Sequence, residues 1–169
     1  MNLKSLVISG CLLAALATLP VASFAAAKSV SAESLVRENM IETLKDLHST
    51  ATDASERAAT LESLSRTYMA DWQEYASQLE ALKDDINDMA PVLHKLATGR
   101  LSTQAGQIAM ARASAALSLM AGGTQSALVD MQENRNLLFM PAYRKYTANL
   151  ATQAEELAGS LARAIQNLR

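Results

Sequence analysis

The sequence predicts an all-α protein: an antiparallel up-down helical bundle of about four long helices with coiled-coil-like packing, after an N-terminal signal peptide. Three observations predict this fold. Apolar residues recur at alternating steps of three and four, no stretch alternates with period two, and 50% of the 169 residues are apolar although only 4% are aromatic. This length suffices for one domain. We expect residues 28–169 to form that single domain.

Residues 1–27 are expected to be a cleaved export signal. Lys4 supplies a positive start, an apolar run extends from Leu6 to Leu19, and the small residues Ala25-Ala26-Ala27 follow. The run is about 14 residues long, whereas a membrane-spanning helix needs roughly 20. We expect cleavage after Ala27, with Ala25 as the alternative, and delivery to the periplasm or the exterior.

The one cysteine, Cys11, lies inside this segment. Ile8-Ser9-Gly10-Cys11 resembles the lipobox at which bacterial lipoproteins are cut and acylated. The apolar run continues past the cysteine, however, where a lipoprotein has a polar tether, so we expect no lipidation. A single cysteine also excludes an internal disulfide framework and a cysteine-based zinc site.

Two helices are expected over residues 33–64 and 71–97. Asp71, followed by Glu74 three positions later, is typical of a helix start and favours a turn near 65–70. The alternative is one long helix, because the apolar spacing passes this region in phase. The residues expected to face the core are Leu44, Leu47, Ala51, Ala54, Ala58 and Leu61 in the first helix, and Tyr68, Trp72, Tyr75, Leu79, Leu82, Ile86, Met89, Leu93 and Leu96 in the second.

Proline and glycine mark the expected interruptions. Pro91 lacks a backbone donor and should kink or restart the second helix near Ala90, and Gly99 should end it. A third helix is expected over 102–139, capped by Ser102, with Gly122-Gly123 either ending or softening it. Pro141 should open the last helix, over 142–168.

The last two helices carry apolar stripes of different character. The third contains closely spaced alanines, which indicate either close packing inside the bundle or a dimer seam. Its expected inward face is Ala105, Ile108, Ala109, Arg112, Ala116 and Leu119, continued by Leu128, Met131, Leu138 and Phe139. The expected face of the fourth is Tyr143, Tyr146, Leu150, Ala154, Leu157, Leu161, Ala164 and Leu168. Short connections favour the up-down order. The alternative is a long helical hairpin over 33–97 with a shorter second hairpin packed around it.

Six aromatic residues are expected to gather at one end of this bundle. In the up-down order, the start of the second helix and the turn between the third and fourth lie at the same end. The residues are Tyr68, Trp72, Tyr75, Phe139, Tyr143 and Tyr146. They form either an aromatic core layer whose hydroxyls reach solvent or a binding surface for a partner or small ligand.

The sequence contains no pattern typical of catalysis. Di-iron, zinc-protease and haem-attachment motifs are missing, no serine lies in Gly-x-Ser-x-Gly, and no phosphate loop occurs. The basic residues are scattered in a chain of net charge −2, which does not favour nucleic-acid binding. We therefore expect no enzymatic activity, no cofactor and no membrane span in the processed chain.

These observations favour an exported protein that acts by protein binding or scaffolding in the periplasm or envelope, with an unknown protein partner or by self-association. The alternative is a carrier for a small ligand or a metal. It would use the aromatic end of the bundle or His48, which the up-down order brings near Asp84, Asp85 and Asp88.

Overall fold

The computed structural model describes residues 22–67, 71–99, 103–133 and 141–168. The chain divides into two compact units, residues 1–34 and residues 35–169. In the first unit the described backbone is helical. The predicted export segment lies mainly outside the described residues, as do Tyr68 and Phe139.

Every described element is an α-helix, and none of the described ranges forms a strand. The helices are α1 (Ala22–Arg66), α2 (Trp72–Thr98), α3 (Gln104–Glu133) and α4 (Pro141–Leu168). The buried apolar residues of the four helices form one continuous core. The all-α helical bundle predicted from the sequence is therefore confirmed.

The connection between α1 and α2 separates two helices rather than bending one. α1 begins before the expected residue 33, because no glycine or proline interrupts residues 22–66. It ends at Arg66, where the Thr67 amide donates to the Leu64 carbonyl at 3.1 Å. α2 then starts with Asp71 as its cap: its carboxylate accepts a hydrogen bond from the Gln73 amide at 2.9 Å.

α2 continues through Pro91 as a single helix, so the expected restart near Ala90 does not occur. Pro91 and Asn87, whose carbonyl loses its intrahelical donor, both lie on the exposed side. Water can hydrate that carbonyl, which lowers the cost of the missing bond. Gly99 ends the helix as predicted, with its amide shared between the Lys95 and Leu96 carbonyls.

α3 is capped one residue later than expected. The hydroxyl of Thr103 accepts a hydrogen bond from the Gly106 amide at 3.1 Å, as an N-cap side chain does. Ser102, the predicted cap, lies outside the described residues. The helix passes through Gly122 and Gly123 without ending there.

The core follows the predicted stripes in α1, α2 and α4. All six predicted positions of α1 are buried, as are Tyr75 through Leu93 of the α2 stripe, whereas Leu96 and Tyr146 are half-buried. Trp72 is the exception, because it begins α2 and remains 38% exposed. A fully buried leucine contributes about 1.5–3 kcal/mol, so these stripes supply most of the driving force for packing.

The predicted inward face of α3 is confirmed at Ala109, Ala116, Leu128 and Met131, which are buried, and is wrong at four other positions. Leu138 and Phe139 lie outside the described residues. Ile108 and Leu119 point outward, at 48% and 61% exposure, and Ala105 and Arg112 are also exposed. The helix is apolar on more than one side, so its periodicity does not single out one face. The buried side is built from small residues and methionines: Gly106, Ala109, Met110, Ala113, Ala116, Leu117, Met120, Thr124, Ala127, Leu128 and Met131.

Polar contacts join neighbouring helices around this core. The Arg57 guanidinium of α1 donates to the Asp85 carboxylate of α2 at 2.8 Å. The Tyr146 hydroxyl of α4 donates to the Gly123 carbonyl of α3. Among the described residues, no helix combines the length and apolar character needed to cross a membrane.

The two adjacent glycines of α3 give a matched test of this packing. A Cβ at Gly122 meets no atom within 4 Å, whereas one at Gly123 meets Leu150 Cδ2 at 2.6 Å. We expect Gly122→Ala to raise the free energy of unfolding by about 0.5–1 kcal/mol, because alanine is the better helix former. Gly123→Ala should be less stable than Gly122→Ala by about 1–3 kcal/mol, because Leu150 is buried and must shift. Urea unfolding at low protein concentration measures both; equal stabilities would contradict this packing.

Candidate functional site

Three of the six predicted aromatic residues form a cluster. Tyr75 of α2, Tyr143 and Tyr146 of α4 lie together, with ring centroids 5.4 Å apart for Tyr75 and Tyr143 and 6.2 Å apart for Tyr143 and Tyr146. Trp72 stands one turn before Tyr75 and is partly exposed. The positions of Tyr68 and Phe139 fall outside the described residues.

Each hydroxyl of this cluster has a different environment. Tyr143 donates to the Ala127 carbonyl at 3.4 Å, and Tyr146 donates to the Gly123 carbonyl, so both tyrosines tie α4 to α3. The hydroxyl of Tyr75 is buried and has no hydrogen-bond partner among the described residues. Leaving a buried hydroxyl unbonded costs about 1–3 kcal/mol.

Burial raises the pKa of two phenols of this cluster, Tyr75 and Tyr143. It is the largest cause raising the pKa of Tyr75, and the nearby Tyr143 hydroxyl contributes further. Burial also raises the pKa of Tyr143 to about 12, although the Tyr75 hydroxyl partly opposes it. Tyr75 and Tyr143 therefore offer apolar rings and neutral hydroxyls, which suit binding by contact and hydrogen bonding rather than proton transfer.

Three more buried hydroxyls lie close to the tyrosines. Ser65 and Thr147 Oγ atoms are 3.0 Å apart across α1 and α4, and the Arg144 guanidinium donates to the Ser65 carbonyl at 3.2 Å. Thr124, beside Gly123, is buried, and its hydroxyl forms no hydrogen bond with the described part of the chain. We call Ser65, Tyr75, Thr124, Tyr143 and Thr147 the hydroxyl layer.

No sequence motif singles out the serine and the two threonines of the hydroxyl layer. Ser65 follows Leu61 by four residues, Thr124 follows Met120 by four, and Thr147 lies between Tyr143 and Leu150. Each of these residues therefore lies at a position where the helical repeat predicts a core residue. A polar residue at such a position indicates a buried hydroxyl.

An open groove lies beside the tyrosine cluster, between α3 and α4. Its volume is about 360 Å³, and it is lined by Leu119, Gly123, Tyr146, Asn149, Leu150 and Gln153. None of these lining residues is charged. Because Gly123 has no side chain, the groove is shallow on the side of α3. The groove therefore suits an apolar side chain flanked by neutral polar groups.

The structure does not gather His48 with the three aspartates. Among the described residues, no group of three or more histidine, cysteine, aspartate or glutamate side chains could hold a metal ion. Asp85 is paired with Arg57 instead, and burial raises the pKa of its carboxyl despite the opposing effect of that guanidinium.

Comparison of the chain with protein-family models, curated proteins and solved structures finds no match.

The buried tyrosines predict alkaline destabilisation. A phenol with a raised pKa in the folded protein holds its proton above pH 10, where the unfolded chain releases it. The contribution of these tyrosines to stability is therefore constant below about pH 10 and falls as the pH rises toward 12, by up to about 1.4 kcal/mol per pH unit for each such tyrosine. Urea unfolding across this range measures the slope.

The Tyr75→Phe/Tyr143→Phe variant is the control and should lose most of this slope. Ionisation of both phenols near pH 10 in the folded protein, followed by ultraviolet absorbance, would contradict the burial described above.

Proposed function

We propose that this chain is exported, loses residues 1–27, and acts as a non-enzymatic binding or scaffolding protein in the periplasm or envelope. Its helices alternate in direction in an up-down bundle with coiled-coil-like packing. The observation that carries the binding role is the uncharged open groove between α3 and α4, next to the tyrosine cluster.

The contacts between helices support the alternating order. Along α4, Tyr143 bonds Ala127 and the later Tyr146 bonds the earlier Gly123, as expected for helices that run in opposite directions. Along α1, Asp46 and Leu47 lie near Met89, and the later Thr60 lies near the earlier Gln78. Both pairs of neighbours therefore favour antiparallel packing.

The export proposal rests on the N-terminal sequence. Lys4, the apolar run and the small residues through Ala27 have the order that a signal peptidase substrate requires. Cleavage would also remove Cys11, leaving no thiol in the processed chain. That composition suits an oxidising compartment, where a free thiol risks mispairing.

In-cell crosslinking tests both parts of this proposal. A photo-crosslinking amino acid replaces Asn149 at the groove, and the matched control replaces Asn87, an exposed asparagine on α2. We expect crosslinked protein adducts from position 149 and far fewer from position 87. Mass spectrometry identifies the adduct, and N-terminal sequencing of the accumulated protein should begin at Lys28, or at Ala26 for the alternative cleavage.

Two outcomes would contradict the proposal. An intact N-terminus on the accumulated protein would exclude processing at Ala27 or Ala25. Equal yields from positions 149 and 87, or no protein adduct at either, would exclude the groove as a protein-binding surface.

The second candidate is a small-ligand carrier that uses the same groove. Leu119 and Leu150 offer apolar contact, and Tyr146, Asn149 and Gln153 offer neutral polar groups around it. A ligand retained through purification, seen by native mass spectrometry and lost in Tyr146→Ala, would support this candidate. The metal version is less favoured, because Asp85 already pairs with Arg57.

A further inference from the structure

The outward face of α3 differs from the surfaces of the other helices. It exposes three large apolar side chains, Ile108, Leu119 and Val129, the last at 41%. From residue 104 to residue 129 only Arg112 is charged, whereas the exposed side of α2 carries acids and bases along its length. Monomeric proteins seldom leave a long apolar helix face exposed to solvent, so we expect another molecule to cover this face.

Two opposite charges, Arg112 and Asp130, lie on either side of the centre of this face. Arg112 and Asp130 are 18 residues apart, about five helical turns, so both project from the same side about 27 Å apart. Both are exposed, and neither forms an ion pair within the described part of the chain. Leu119 lies between them on that side.

This pattern is complementary to itself when the direction of the helix is reversed. If two copies of α3 cross antiparallel about a two-fold axis level with residue 121, Arg112 of each copy faces Asp130 of the other. The same register places Leu119 of each copy opposite Gly123 of the other. A two-fold interface repeats every contact, so it contains two such ion pairs and two such leucines.

The groove described above lies where the second leucine would arrive. Gly123 forms its low wall, and Tyr146 and Leu150 lie beside it. Leu119 is the most exposed leucine of α3 and would be covered there. The apolar side chain of Leu119 in one copy therefore suits the uncharged groove of the other copy.

The available area also fits a pair of copies. A helix of 30 residues is about 45 Å long and about 10 Å wide, so α3 alone offers roughly 450 Å². If the flank of α4 that carries Asn149 and Gln153 contributes a strip of similar width, the total is about 900 Å². This is comparable to the roughly 800 Å² per partner that stable interfaces bury.

We propose that two copies of this chain associate through α3, antiparallel, with Leu119 of each copy in the groove of the other and Arg112 paired with Asp130. This inference rests on the proposed binding function and names the partner as a second copy.

Charge exchange gives the sharpest test. The dimerisation constant of the protein, in the form that cells accumulate, is measured by sedimentation equilibrium over a concentration series. Leu119→Glu should weaken association at least about thirtyfold, because it removes the central apolar contact. Arg112→Asp should weaken it about tenfold, because it sets two acids opposite each other. The double variant Arg112→Asp/Asp130→Arg should regain the wild-type constant within about threefold.

Leu35→Glu is the matched control, because Leu35 is 58% exposed on α1, and it should dimerise like the wild type. Circular dichroism checks that every variant is helical. If the Leu119→Glu variant has the dimerisation constant of the wild type, or if the double variant does not regain it, the antiparallel α3 interface is wrong. A monomer that captures another protein or retains a small ligand at position 149 overturns this inference alone, whereas a monomer that captures nothing overturns the proposed function as well.

Discussion

A hydrogen bond inside the apolar core determines how α1 and α4 can lie against each other. Ser65 and Thr147 are both buried, with their hydroxyl oxygens 3.0 Å apart. Apolar stripes drive helices together but tolerate sliding, because one leucine contact resembles the next. Each hydroxyl also bonds a carbonyl of its own helix, Ser65 that of Glu62 at 2.7 Å and Thr147 that of Arg144 at 3.1 Å. Sliding by one turn would therefore lose the one bond between the helices, which is worth about 1 kcal/mol. The pair therefore selects one register, as a buried polar residue does in a coiled coil.

The surface features follow from that register. With α4 fixed, Tyr143 and Tyr146 reach the α3 carbonyls at Ala127 and Gly123, and Tyr75 packs on Tyr143. Gly123 lets α3 approach Leu150 closely, and Leu150, Gly123 and the exposed Leu119 line the open groove beside this contact. The core and the candidate binding surface are thus two sides of the same contact between α3 and α4.

Sequence patterns predicted the core where apolar and charged residues alternate clearly. The α1 stripe from Leu44 to Leu61 is flanked by charged residues, so its phase is unambiguous and all six positions are buried. α3 has one charge between residues 104 and 129, so its phase was ambiguous, and Ile108 and Leu119 were placed inside. The hydroxyl layer and the groove arise from residues far apart in the chain, as Ser65 and Thr147 are, and no local spacing reveals which of them meet.

A double-mutant cycle on Ser65 and Thr147 measures how strongly this hydrogen bond couples α1 to α4. Ser65→Ala, Thr147→Val and the double variant are compared by urea unfolding. Thr124→Val is the control, because it makes the same change at a buried threonine whose hydroxyl has no partner among the described residues. We expect a coupling free energy of about 1 kcal/mol between Ser65 and Thr147 and no loss of stability for Thr124→Val. Additive effects of the two substitutions, with Thr147→Val as harmless as Thr124→Val, would contradict this expectation.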